Sequence, residues 1–413
     1  MSSDVSSSPS AAPPFQSEAA FVEAAERFDD YTAPAPEELE ERARAVLVDR
    51  LGPTDDSIAA AYACGTLGVQ ADQTHYSDGF GLLMPLQQGL AVAARPAQKS
   101  RIVFEGDAQT WTTEASALPP WATALHRILQ ELLADQQAEV AVTSTIPGVC
   151  RDAYLAALAV AFMRAVRTLN VSTTVDLDSV PGLRDDLVPL LAGEIGNALD
   201  RPYSTAYLLA TFAGPAPAFT LVDTSTREHL PVQTEGRTAL QWAVLDPGSP
   251  EPRPPAFHRR RKQQADEALS VLRQNGFSRL TAFRDLEHRD LERAVRVLPS
   301  KLVPVARHLV TENRRVQKHV AALRRSDWQM IGALLLMSHA SQRDDWEGTS
   351  AAADAVVKAA ERRTHDGLYG ACMTGRSGAV LVTGRPSNFR QRLRHLVDAV
   401  EPTLGHAPRL LAP

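Results

Sequence analysis

The apolar positions of this chain change period several times along its length. Phe21, Ala24 and Phe28 recur at helical spacing, and the run Glu37–Leu51 follows a pair of prolines, so helix is expected over Ser17–Leu51. Gly89–Arg95 and Glu139–Thr143 are short β-type runs. Between them Leu125, Ile128, Leu129, Leu132 and Leu133 make one stripe, which predicts an amphipathic helix over Trp121–Gln136. Leu155, Leu158, Phe162 and Val166 predict another over Tyr154–Arg167. Phe219–Asp223 reads as a strand followed by a turn, and Asp246–Pro255 as a Pro-rich connector. Beyond it the pattern is mostly helical to Arg363, then strand-like over Ala379–Gly384, with a last helix over Ser387–Ala399. Strands and helices mixed in both halves give an α+β fold class.

Composition narrows the reading. With 413 residues the chain can bury one large core or two moderate ones. The formal charge of −6 gives no basic face of the kind nucleic acid requires, so no nucleic-acid partner is expected. The one basic cluster, His258–Lys262, reads as a solvated helix start. No apolar run is long enough to span a bilayer, so no membrane partner is expected. Residues 1–17 are rich in Ser, Ala and Pro, without the basic and apolar regions of a signal peptide; they read as a disordered tail, and a cytoplasmic location follows. The three cysteines, Cys64, Cys150 and Cys372, have no short-spaced pair and read as small buried hydrophobes, the alternative being a thiol cluster that binds metal or senses redox state.

Five stretches carry candidate chemistry. Ala63–Met84 contains Gly65, Thr74, Tyr76, Gly79, Phe80, Leu82 and Met84 in one ungapped frame. Ser144–Leu158 has Pro147, Gly148 and a following Ala156-Ala157-Leu158. Such a loop suits phosphate, because backbone N–H groups and a helix N-terminus favour an anion. Ala306–Val316 and Ser338–Ser350 contain Arg307, His308, Glu312, Arg315, Ser338, His339, Ser341, Arg343, Asp344, Asp345, Glu347 and Ser350. Met373-Thr374-Gly375 opens a short Gly-rich turn before Ala379.

In this order and register the stretches resemble the signatures of the galactokinases, a family of the GHMP small-molecule kinases. The resemblance runs from about Asp55 to the C-terminus. It implies a two-domain fold, with an N-terminal domain like part of ribosomal protein S5, a ferredoxin-like C-terminal domain, and the active site in the cleft between them. The corresponding division is 18–245 and 246–413. The implied activity is ATP- and Mg²⁺-dependent phosphorylation of galactose at C1, with a sugar and a nucleotide as small-molecule partners.

The positions that carry the family's chemistry differ here. Thr66 stands at the catalytic arginine position. Asp72, Gln73 and His75 stand at the sugar-binding Glu, His and Asp positions, with Asp78 beside them. The serine triplet of the phosphate loop is missing, leaving Gly148 and Arg151 as nucleotide-binding candidates, joined by Thr374 and Gly375 from the third signature. Asp152 brings a carboxylate to where phosphate oxygens would lie, with Arg151 as a partial compensator. Alignment on Pro202, Gly214 and Phe219–Asp223 puts Tyr207 at the general-base position. A phenol with a pKa of about 10 is a poor base near neutrality. An alternative register makes Asp200 the base at the expense of an insertion. Replacing base and charge stabiliser together removes effects worth about 10²-fold each. The expectation is therefore a pseudokinase that binds or senses a sugar or nucleotide, the alternative being an active kinase of altered specificity. No metal ligand set is expected beyond the Mg²⁺ that would accompany ATP.

Overall fold

The computed structural model describes residues 32–70, 73–74, 77–112, 118–133, 136–169, 182–214, 219–234, 240–248 and 253–411. The tail expected over residues 1–17, and the part of the first expected helix before residue 32, lie outside these. Two sheets organise the chain. The larger has seven strands: β1 (Ala59–Gln70), β2 (Phe80–Ala97), β3 (Arg101–Phe104), β4 (Thr110–Thr112), β5 (Gln137–Ser144), β6 (Phe219–Asp223) and β7 (Glu228–Val232). Its order is β4-β3-β5-β2-β6-β7, with β1 paired to β2, and only β3 and β5 run parallel.

One face of this sheet carries the helix α1 (Pro36–Leu51), which has a proline in its first turn and buries Leu39, Ala43 and Leu47 against Ala91, Ala93, Val103 and Ala141. The other face carries α2 (Pro120–Leu133), α3 (Arg151–Thr168), α4 (Val188–Leu199) and α5 (Thr205–Ala213). Helix α3 is apolar nearly all round and is buried from Asp152 to Met163, as a central helix must be.

The smaller sheet has the order β11-β8-β10-β9, built from β8 (Gln241–Asp246), β9 (Leu368–Thr374), β10 (Ala379–Gly384) and β11 (Arg409–Leu411). Strand β8 precedes the Pro-rich connector yet pairs with β10 and β11, which come from the far end of the chain. The intervening residues form α6 (Pro255–Gln274), α7 (Leu291–Val297), α8 (Val303–Arg324), α9 (Trp328–Asp344) and α10 (Ala351–Glu361), and α11 (Phe389–Leu404) follows β10. Helices α10 and α11 pack Val356, Ala360, Phe389, Leu393 and Leu396 onto the small sheet.

Several expected ranges change. The strand predicted over 89–95 is the last part of an 18-residue strand that begins at Phe80. The last helix runs on to Leu404, with Pro402 inside its final turn. The basic run His258–Lys262 lies within α6 and is not solvated throughout. His258 and Arg261 are buried, Arg261 stacking on the Phe257 and Trp346 rings and pairing with Glu347. A guanidinium can be buried this way because its flat faces accept aromatic contact while its edge keeps an acid partner. All three cysteines are buried.

Candidate functional site

The first signature is shaped by close approach. Gly65 sits at a bulge between β1 and β2, where a Cβ would come within 2.9 Å of the Leu86 Cδ1 and 3.2 Å of Ile146. The next residue, Thr66, is 2% exposed, and its Oγ1 lies 3.3 Å from the Thr211 Oγ1 of α5. Tyr207 is one turn earlier on the same helix and is also buried. Its hydroxyl is the nearest atom, at 3.8 Å, to where a Cβ on Gly375 would lie, and Gly375 has φ +63°. Thr374 donates through Oγ1 to the Gly68 carbonyl at 2.7 Å. Thr66, Tyr207, Thr374 and Gly375 are thus brought together, from three separate segments, by β1, α5 and the turn after β9. What meets there is a pair of threonine hydroxyls and a phenol, with no carboxylate and no guanidinium among those side chains.

The second signature follows directly from β5. Ser144 Oγ accepts from the Ile146 N–H at 3.0 Å, and Thr145 Oγ1 accepts from the Gly89 N–H at 3.1 Å. Both loop hydroxyls are therefore taken up by the chain's own backbone. After Pro147 a 3₁₀ turn, Gly148–Cys150, leads into α3. The first turn of α3 holds Asp152, whose Oδ1 accepts from Arg201 Nη2 at 2.9 Å, with both side chains almost fully buried at 6% and 2% exposure. The aligned peptide dipoles at a helix N-terminus favour such a carboxylate. This partner, Arg201, is 49 residues away in the chain.

Around this pair Tyr203 donates its hydroxyl to the Asp152 carbonyl, and Arg376 of the third signature donates to the Pro202 carbonyl. Burial pushes the Tyr203 phenol well above its usual value; Asp152 adds to this, while Arg201 and Arg376 oppose it. The loop before α3, the segment after α4 and the turn after β9 are tied together by these contacts.

The remaining candidates lie apart. Asp200 is the left-handed C-cap of α4 with φ 52°, largely exposed, and its carboxylate pairs with Arg259. Asp78 is exposed in a left-handed turn with φ 56°. Gln73 is buried. Asp72 and His75 lie outside the described residues. Among the described residues no group of three or more His, Cys, Asp or Glu could hold a metal ion, and no helix is long and apolar enough to cross a membrane.

The densest motif matches form a different centre. Glu312 on α8 is fully buried and accepts from Gln70 Nε2, Ser338 Oγ and, at 2.6 Å, Arg315 Nε. Burial pushes its carboxyl up, but the Arg315 charge, His308 and the hydrogen bonds from Ser338 and Arg315 outweigh it and hold it below the usual value. His319 faces the Gln70 Oε1 at 3.1 Å, and His308 the Ser341 Oγ at 3.0 Å. His339 bridges the Met373 N–H and the Asp354 carboxylate. Asn313 Oδ1 accepts the Phe80 N–H at 2.8 Å. This network fastens the ends of the Gln70–Phe80 connection to α8 and α9.

No protein-family profile matches the chain. Curated galactokinases do. That of Chloroflexus aggregans is 27% identical over 331 residues, covering 76% of this chain and 80% of that one. That of Thermotoga maritima is 25% identical over 354 residues, covering 83% and 94%. Among solved structures, Lactococcus lactis galactokinase complexed with galactose superposes with a TM-score of 0.76 at 18% identity, over 91% of this chain and 97% of that one. L. major mevalonate kinase in complex with R-mevalonate gives a TM-score of 0.52 at 12% identity, over 87% and 97%.

Proposed function

We propose that this chain, a galactokinase-like member of the GHMP kinases, is a pseudokinase: it keeps the family's frame and binds or senses a sugar or nucleotide without transferring phosphate efficiently. The observation that carries this reading is the buried Asp152–Arg201 pair at the N-terminus of α3. In a phosphate-binding loop the helix N-terminus and loop hydroxyls await an anion. Here a carboxylate of the chain already sits in the first helical turn, and Ser144 and Thr145 are turned onto backbone groups. The residues do not fit ATP·Mg²⁺ in that cradle.

The hydroxyl group of Thr66, Thr211 and Tyr207 supports the same reading. Phosphoryl transfer needs charge stabilisation and a proton acceptor. Two threonines and a phenol supply neither at neutral pH. A division of labour into two domains goes with this proposal, the boundary of 18–245 and 246–413 moving ahead of β8, which pairs with β10 and β11; a cleft between them would be the place for a ligand.

The test is a coupled assay of the full-length protein with ATP, Mg²⁺ and a panel of sugars, alongside thermal shifts with galactose and with ATP·Mg²⁺. Expected is turnover at background level and, for any bound ligand, a rise in melting temperature. Robust phosphorylation of any sugar would overturn the reading in favour of an active kinase of altered specificity.

A further inference from the structure

A cleft of about 380 Å³ lies between α8 and the two short turns Phe283–Asp285 and His288–Asp290, sharing only Asn313 with the groups described above. Its floor is apolar and buried, from Leu286 and Val310. Its wall carries Arg284, Arg289 and Arg314 against a single carboxylate, Glu287, with His288 between them. This runs against a chain whose net charge is −6.

The cations differ in how they are used. Arg289 pairs with Glu287 at 2.8 Å. Arg284 pairs with Asp223 and lies over the Phe80 ring, 4.9 Å from its centroid, so it is held in place. Arg314 donates to the neutral Gln317 Oε1 at 2.8 Å, and among the described residues no carboxylate pairs with it. Its charge faces the cleft uncompensated.

We propose that this cleft binds a small phosphate-bearing anion, with Arg314 and Arg284 on the phosphate oxygens and Leu286 and Val310 under any carbon portion. Guanidinium suits this ligand because its planar fork matches phosphate geometry. The site touches the first signature: Arg284 stacks on Phe80, Asp223 lies opposite Phe80 in the strand register, and Asn313 beside the cleft holds the Phe80 N–H. An anion drawing on Arg284 competes with Asp223 and so bears on the turn that ends at Phe80.

The experiment is isothermal titration of the full chain with inorganic pyrophosphate and with glucose 6-phosphate, at ionic strength held constant with NaCl. Wild type, Arg314→Ala and Arg314→Lys are compared. Arg314 is exposed, so both variants are expected to melt as wild type does. Saturable binding is expected in wild type. Losing one charge-assisted contact of about 1.5–3 kcal/mol should weaken it about tenfold or more in Arg314→Ala, with a smaller loss in Arg314→Lys. Tighter binding of the ester than of pyrophosphate identifies an organic phosphate as the ligand class; the reverse identifies inorganic phosphate. Absence of saturable binding in wild type, or equal binding by wild type and Arg314→Ala, would overturn the proposal, the latter by placing the anion elsewhere, including in the loop before α3.

Discussion

The Asp152–Arg201 pair can be weighed by a double-mutant cycle. Arg201→Met keeps most of the side-chain volume and removes the charge, leaving Asp152 buried beside Tyr203. Breaking one partner of a buried pair costs about 3–5 kcal/mol, because the survivor is left charged without water. The N-terminus of α3 recovers about 0.5–1 kcal/mol of this by its dipole, so a net loss of about 2–4 kcal/mol is expected. Asp152→Asn keeps the shape and removes the carboxylate that pairs with Arg201, and should cost a similar amount. The double variant strands no charge and should be less destabilised than the sum of the singles, by about 2 kcal/mol or more of coupling. The assay is urea unfolding followed by tryptophan fluorescence and circular dichroism together, since coincidence of the two validates two-state values in a chain of this size. Additivity of the singles within about 0.5 kcal/mol would refute the reasoning. It would mean that the carboxylate is solvated or otherwise balanced, and the cradle at α3 would then be open to a phosphate after all.

Three further outcomes follow from the buried groups. Burial pushes the imidazoles of His126 and His308 down to about 4 and that of His319 to about 3; since the unfolded chain takes up these protons near pH 6.5, stability should fall by about 1.4 kcal/mol per histidine for each pH unit below that, and a melting temperature that stays flat from pH 7 to 5.5 would count against their burial as neutral rings. Glu312→Gln leaves Arg315 without its charge partner and should cost about 3–5 kcal/mol at pH 7 in urea unfolding; the depressed Glu312 carboxyl stabilises the fold above its unfolded value of about 4.3 and loses that contribution as pH drops through its lower folded value, so the gap between wild type and variant should close in acid. Gly79→Ala would place a Cβ 2.7 Å from Thr74 Cβ and 2.9 Å from Asn313 Oδ1, so a loss of about 1–3 kcal/mol is expected, and unchanged melting of that variant would show that the turn moves freely.

How much of this was readable in the chain depended on range. Phe219–Asp223 and Ala379–Gly384 have the strand limits read from sequence, because branched or aromatic residues there are bounded by turn residues. Strands β1 and β9 gave no such signal. Both are rich in Ala, Gly and Cys and lie buried along most of their length, so neither alternation nor branching marks them. The family frame was legible because many matches fell in register; a single Glu312 or His339 would have said nothing. The contacts that decide the candidate site were not legible at all. Thr66 meets Thr211 across 145 residues and Asp152 meets Arg201 across 49, distances at which local pattern carries no information. The available hint was chemical: Asp152 stands at the head of a helix otherwise apolar over Ala153–Met163, and a charge so placed needs a partner from elsewhere.

On the proposed reading, the two buried centres would explain how a kinase frame outlasts its chemistry. In the Glu312 centre every change strands something: Gln70, Arg315, Ser338 and the carboxylate satisfy one another in low dielectric, and a half-satisfied network is worse than none. That centre fastens both ends of the Gln70–Phe80 connection. The Thr66 centre is the reverse. A catalytic arginine and aspartate are costly to bury and are justified only by a charged ligand between them; two threonines and a tyrosine pack there without that cost. On the same proposal, the Asp152–Arg201 pair at the head of α3 would remove that liability from the loop before it. On this argument the altered positions stabilise the ligand-free protein. Restoring charge singly, as Thr66→Arg or Tyr207→Asp, should lower the melting temperature without producing turnover. A single restoration that left stability intact and yielded sugar phosphorylation would show that the centre still expects a charged ligand.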